Sequence, residues 1–237
     1  GTFARYNGTY NAGDASDSRV IFSGSEQQKI STPFTGNNAF YNFTLDNTNG
    51  LIMGDETEIS NELTLENGIM HTGDTSVVYL SNTSENVVNG VTSNKYVSGP
   101  VAKQIISSGS YEYPVGDQGD TGPVQVINTS SSGAQKWEAR YVAGNPADDG
   151  YDPNATADPL STVSQEEYWI VQGPGAGSEA LVKIPWDSES QISSLVSDPS
   201  KLHLAEWGGS QWIDVGNTVD EGNQTVQSDD KRTLEEH

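Results

Sequence analysis

Asn42-Phe43-Thr44-Leu45-Asp46-Asn47 returns about twenty residues later as Glu62-Leu63-Thr64-Leu65-Glu66-Asn67. Each copy is followed by a Gly and a short apolar pair, Gly50-Leu51-Ile52 and Gly68-Ile69-Met70, and then by Gly-Asp at Gly54-Asp55 and Gly73-Asp74. Val20-Ile21-Phe22-Ser23-Gly24 precedes the first copy, and Val77–Asn82 and Asn86–Gly90 continue the rhythm. Short strands at this period, broken by Asn and Gly, read as a parallel β-solenoid. Each coil stacks its inward apolar residues on those of the next. Asn and Gly occupy the corners, where the backbone turns through left-handed or similarly tight geometry. The competing reading is an ordinary antiparallel sandwich in which the echo is coincidental.

Working outward, the composition changes near residue 100. Asn is concentrated before it, and Trp137, Trp169, Trp186, Trp207 and Trp212 all lie after it. Strand-like runs at Val124–Asn128, Trp137–Val142, Glu167–Val171, Ala180–Trp186, Leu202–Trp207 and Gln211–Val215 are separated by turns, as in a β-sandwich. Ser190–Val196 reads as a short helix. The expected architecture is all-β: a short parallel β-solenoid over 1–100, a β-sandwich-like antiparallel domain over 101–228, and a disordered or appended tail over 229–237. The chain opens abruptly at Gly1 and is read as part of a longer polypeptide.

The totals restrict function. The net charge is −22 with a pI of about 4.1, which repels nucleic-acid phosphates and anionic membranes. Such a surface keeps a protein in solution and attracts divalent cations. No apolar run reaches the ~18 residues of a membrane span, so no membrane insertion is expected. The absence of Cys excludes disulfides, thiol catalysis and Cys-based zinc sites, and suits an exported bacterial protein.

Four motifs occur in order. They are Leu63-Thr64-Leu65-Glu66-Asn67-Gly68-Ile69, then Tyr111-Glu112-Tyr113-Pro114-Val115-Gly116-Asp117, then Glu167-Tyr168-Trp169, and last His203–Trp212 with its Ala205-Glu206-Trp207-Gly208-Gly209-Ser210-Gln211-Trp212 hairpin. Together they resemble segments of large secreted, adhesin-like surface proteins of Bacteroidota. The resemblance implies export, through the type IX route, to the cell surface, and a role in adhesion. It brings no catalytic residues, and the C-terminal sorting domain of such proteins is not among the motifs found.

Residues with chemistry are few. His71, His203 and His237 form no recognisable triad, and no HExxH, phosphate-binding loop or dinucleotide motif occurs. A solenoid polysaccharide-degrading enzyme needs paired acids, for which Asp55, Glu56, Glu58, Glu62, Glu66 and Asp74 are available. A lyase also needs a strong base, and only Lys29 lies between Arg19 and Lys95. The main metal candidate is the loop carrying Asp148, Asp149, Asp152, Asn154 and Asp158, whose oxygens suit a structural calcium ion. Asp14 with Asp17, and Asp117 with Asp120, are lesser candidates. Trp207 and Trp212, five apart across a tight turn, are candidates for a sugar-binding platform, with core packing as the alternative. Thr44 and Thr64 align, but a longer threonine ladder of the ice-binding kind is not visible. The expectation is a non-catalytic adhesion or structural segment whose partner is a surface glycan or another surface protein. The alternatives are a carbohydrate-binding module and, further off, a β-helix polysaccharide-degrading enzyme.

Overall fold

The twenty-residue echo is a stacking register. Phe43 pairs with Leu63, Thr44 with Thr64 and Leu45 with Leu65 in one parallel ladder. The apolar pairs stack one residue out of step with that echo: Leu51 meets Met70 rather than Ile69, after an irregularity that sets Asp46 opposite Asn67. This arrangement belongs to a computed structural model that describes residues 2–3, 18–73, 75–106, 108–130 and 133–234.

In chain order the coils contain β1 (Thr2–Phe3), β2 (Arg19–Ser23), β3 (Gln28–Ile30), β4 (Phe40–Asp46), β5 (Leu51–Met53) and β6 (Thr57–Asn67). They continue through β7 (Met70–Thr72), β8 (Val78–Leu80), β9 (Val88–Asn89), β10 (Val97–Ser98) and β11 (Val101–Ile105). The remainder comprises β12 (Ser110–Tyr113), β13 (Val115–Asp117), β14 (Asp120–Thr121), β15 (Val124–Ile127), β16 (Gln135–Ala143), β17 (Glu167–Gln172) and β18 (Glu179–Pro185). After the short helix α1 (Ile192–Leu195) come β19 (Leu204–Trp207), β20 (Trp212–Gly216), β21 (Thr218–Asp220), β22 (Thr225–Gln227) and β23 (Arg232–Thr233).

The chain is nearly all β, with a solenoid of about four turns and further antiparallel sheets. One wall stacks β1, β3, β5, β7, β10 and β13 in parallel. Its inward ladder, Leu51–Met70–Val97–Val115, is fully buried. Each such side chain contributes about 1.5–3 kcal/mol of burial free energy. The long β6 turns a corner within itself: its first residues ladder onto β8 and its later ones onto β9.

The corners are chemical as well as geometric. Gly68 (φ +88°) and Gly90 (φ +89°) sit so close to the coil below that a Cβ would lie 1.9 Å from the Asn47 carbonyl oxygen and 2.3 Å from that of Leu65. At another corner Asn side chains form a ladder. Asn42 donates to the Ser18 carbonyl at 3.0 Å, Asn61 to Asn42 Oδ1 at 2.7 Å, and Asn82 to the Asn61 carbonyl at 3.1 Å. Lys103 ends the ladder, its Nζ donating to the Asn82 carbonyl at 2.9 Å.

Hydrogen bonding does not stop at residue 100. β11 is parallel to β8 on one side and antiparallel to β16 on the other, and β16 pairs with β17. The resulting eight-stranded sheet runs from β2 to β17. Across from its end lies the antiparallel sheet β12-β15-β18-β22-β21. Tyr111, Tyr113, Val126, Trp137 and Ala180 join the solenoid interior in one continuous core. The boundary expected at residue 100 therefore falls inside continuous sheets and one core. Part of the expected tail is also ordered: β23 pairs with β18, and Arg232 is bonded to Glu206 at 2.7 Å. Residues 235–237 lie outside the described residues.

Candidate functional site

Four carboxylates from three parts of the fold meet where the solenoid joins the sandwich. A tight hairpin between β13 and β14, with Gln118 and Gly119 at positive φ, presents Asp120. The turn after β18 presents Asp187 and Glu189; Asp187 Oδ1 accepts from the Glu189 and Ser190 amides at 2.9 and 3.2 Å, which fixes the turn. One ligand atom each from Asp120, Asp187 and Glu189 lies within 4.8 Å of the others. Tyr141 of β16 and Glu167 of β17 form the floor. The Tyr141 ring fits only because residue 122 is Gly, where a Cβ would lie 2.1 Å from it.

The Tyr141 hydroxyl stands 2.8 Å from Glu167 Oε2 and 3.1 Å from Asp120 Oδ2. A phenol carries one proton and cannot donate to two carboxylates at once. The arrangement is satisfied when Glu167 holds a proton, donates it to Tyr141, and Tyr141 donates onward to Asp120. Burial raises the Glu167 pKa to about 7, with the Asp187 and Asp120 charges acting in the same direction against the hydrogen bonds. Asp120 is raised chiefly by burial and then by Asp187. Removing charge from such a cluster, by protons or by a bound cation, relieves its repulsion.

The loop expected to hold calcium is built differently. No three of Asp148, Asp149, Asp152 and Asp158 bring carboxylate oxygens within 4.8 Å of one another. Two of these carboxylates have other partners. Asp149 accepts from the Tyr168 hydroxyl, and Asp152 Oδ1 accepts from the Asn154 amide at 2.9 Å. Asp148 lies in the 3-10 turn Pro146–Asp149, which Asn145 caps. Among the described residues the only three-acid group gathers at Asp120, one of the lesser candidates, without its expected companion Asp117. Asp14, Asp17, Asp74 and His237 lie outside the described residues.

Trp207 and Trp212 do face each other across the β19–β20 hairpin, with ring centroids 5.5 Å apart and planes at 69°. Tyr151 stands edge-on to both. Trp212 is buried and donates to the Asp152 carbonyl at 3.1 Å. These contacts clamp the acidic loop onto the hairpin.

Three of the acids considered for polysaccharide cleavage have other partners. Glu62 pairs with Arg19, Glu56 with Lys136, and Glu58 accepts from the Gly36 amide. His71 lies on the outward side of the first wall; burial lowers its pKa, with Asp117 opposing. His203 bonds Asp214 at 3.0 Å. Sequence reading missed Tyr141, Glu167, Asp187 and Glu189, whose convergence comes from separate elements and leaves no local spacing to find.

No family model, no curated protein and no solved structure matches the chain.

Proposed function

We propose that the chain is a non-catalytic segment of a secreted bacterial surface protein, serving as a stiff structural and adhesive unit, with another surface protein or glycan as partner. The observation that carries this reading is the eight-stranded sheet that passes from solenoid into sandwich without a break. Such a sheet resists bending and extension between its ends. The motifs of the surface-protein resemblance are also structural residues. Tyr111–Asp117 crosses from the sandwich sheet to the first solenoid wall at Pro114, and Glu167-Tyr168-Trp169 belongs to the last strand of the long sheet. The acidic composition without Cys suits export. The test is incubation with a panel of plant, algal and bacterial polysaccharides. No new reducing ends or unsaturated products are expected; release that disappears in Glu167→Gln overturns the reading.

Calcium at Asp120, Asp187 and Glu189 fits the same role, since carboxylate oxygens from separate segments are what a hard divalent ion takes. An ion there would tie the β13–β14 hairpin to the turn after β18. Millimolar calcium should raise the melting temperature by several degrees, chelator should reverse the rise, and Glu189→Gln should reduce it. An unchanged melt in calcium contradicts the assignment.

A further inference from the structure

A cleft of about 580 Å³ is lined by β17 and β19, with the loop 159–164, α1 and β23 around it. Every residue of β17 and every residue of β19 lines it. Successive side chains of a strand point to opposite faces, so a cavity that both parities line runs along the strand's edge. Among the described residues both edges are unpaired. β17 ends the eight-stranded sheet, bonded only to β16, and β19 is bonded only to β20, whose other side is bridged by Thr156. Val182 and Ile184 of β18 and Val226 of β22 contribute an apolar floor.

The polarity of the β17 edge follows from one bond. Gly144 N–H donates to the Glu166 carbonyl at 2.7 Å, which sets the pairs facing β16 at Glu166, Tyr168, Ile170 and Gln172. The backbone groups of Trp169 and Val171 therefore point into the cleft. The next outward position already shows what satisfies this row: Gly173 N–H donates to the carbonyl of Leu234, just past β23, at 2.8 Å. Of the usual protections the edge keeps one buried charge, Glu167, at its start, and the loop 159–164 and α1 line the same cleft. Glu167-Tyr168-Trp169-Ile170-Val171-Gln172 contains no Lys or Pro, and its pairing with β16 has no bulge.

We propose that this cleft receives an extended segment of a different polypeptide, which inserts as a β-strand between β17 and β19 and joins the two sheets into one. The outward amides and carbonyls of β17, with β19 lining the same cleft, suit a peptide backbone, and the apolar floor suits alternate apolar side chains. Net charge selects the source. At −22 per chain, a second copy is repelled, so the partner strand is neutral or basic. The inference is independent of the surface-protein reading, since it concerns only what completes these two edges.

The test is to pan a random peptide display library against the intact chain and map the best binder by amide hydrogen exchange. The expected binder alternates apolar with neutral or basic residues, slows exchange across 167–172 and 204–207 about tenfold or more, and fails when alternate amides are N-methylated. Val171→Pro, which removes an outward amide only, should abolish binding while the far-ultraviolet circular dichroism is retained. Four results overturn the proposal: no enrichment, protection elsewhere, equal binding by the N-methylated peptide, or self-association of the chain through β17.

Discussion

At Glu167 and Lys103 burial works against charge, and the two set opposite pH windows. Glu167 titrates near 7 in the folded chain against a reference of 4.5. The folded state therefore holds the extra proton between these values, and stability falls as pH rises through that window. The full loss is at most about 3 kcal/mol. Glu167→Gln keeps a donor to the Tyr141 hydroxyl and removes the ionisation, so its urea midpoint should be flat from pH 4.5 to 7; a wild-type slope in the variant rules this out. Lys103 is fully buried with its pKa lowered to about 8 from 10.5 by desolvation. Here the unfolded chain binds more protons between pH 8 and 10.5, so stability rises with pH across that range. A Lys103→Met chain should lose that rise. Neither residue was legible as a site. Lys103 stands beside Gln104 in a short strand, and which of the two points inward follows only once Val101 and Ile105 are known to face the core.

At the scale of elements, the coil corners were the most legible part of the sequence, because their constraint is local and repeats. Asn and Gly were expected there, and Gly50, Gly68 and Gly90 all adopt positive φ. The consequence is testable at Gly68. Ala there meets both left-handed strain and the Asn47 carbonyl, and should cost about 3 kcal/mol, read as a shift in the urea midpoint. A loss below about 0.5 kcal/mol shows that the corner is not packed as described. Strands after residue 100 were also legible, from alternation and turn residues, and so was α1. What was not legible is how those strands pair. β16 and β17 extend the solenoid sheet, a choice made by contacts far apart in sequence. In the acidic loop 148–158, acids at short spacing are as well suited to closing turns as to holding a cation, and Asp152 closes such a turn by accepting from the Asn154 amide.

At the scale of the whole molecule, one core and one long sheet bind the solenoid to the sandwich. A solenoid of about four turns has little stability alone, because each coil buries its apolar face only against neighbours. The antiparallel pair β16–β17 covers the end of the stack, and the Tyr- and Trp-rich layer behind it continues the interior. The stiff-unit reading depends on this continuity, and differential scanning calorimetry tests it most directly. The account expects one transition in which calorimetric and van't Hoff enthalpies agree, in the wild type and, at lower temperature, in Gly68→Ala. Two separable transitions, with Gly68→Ala lowering only one, would show that solenoid and sandwich are independent units and contradict it.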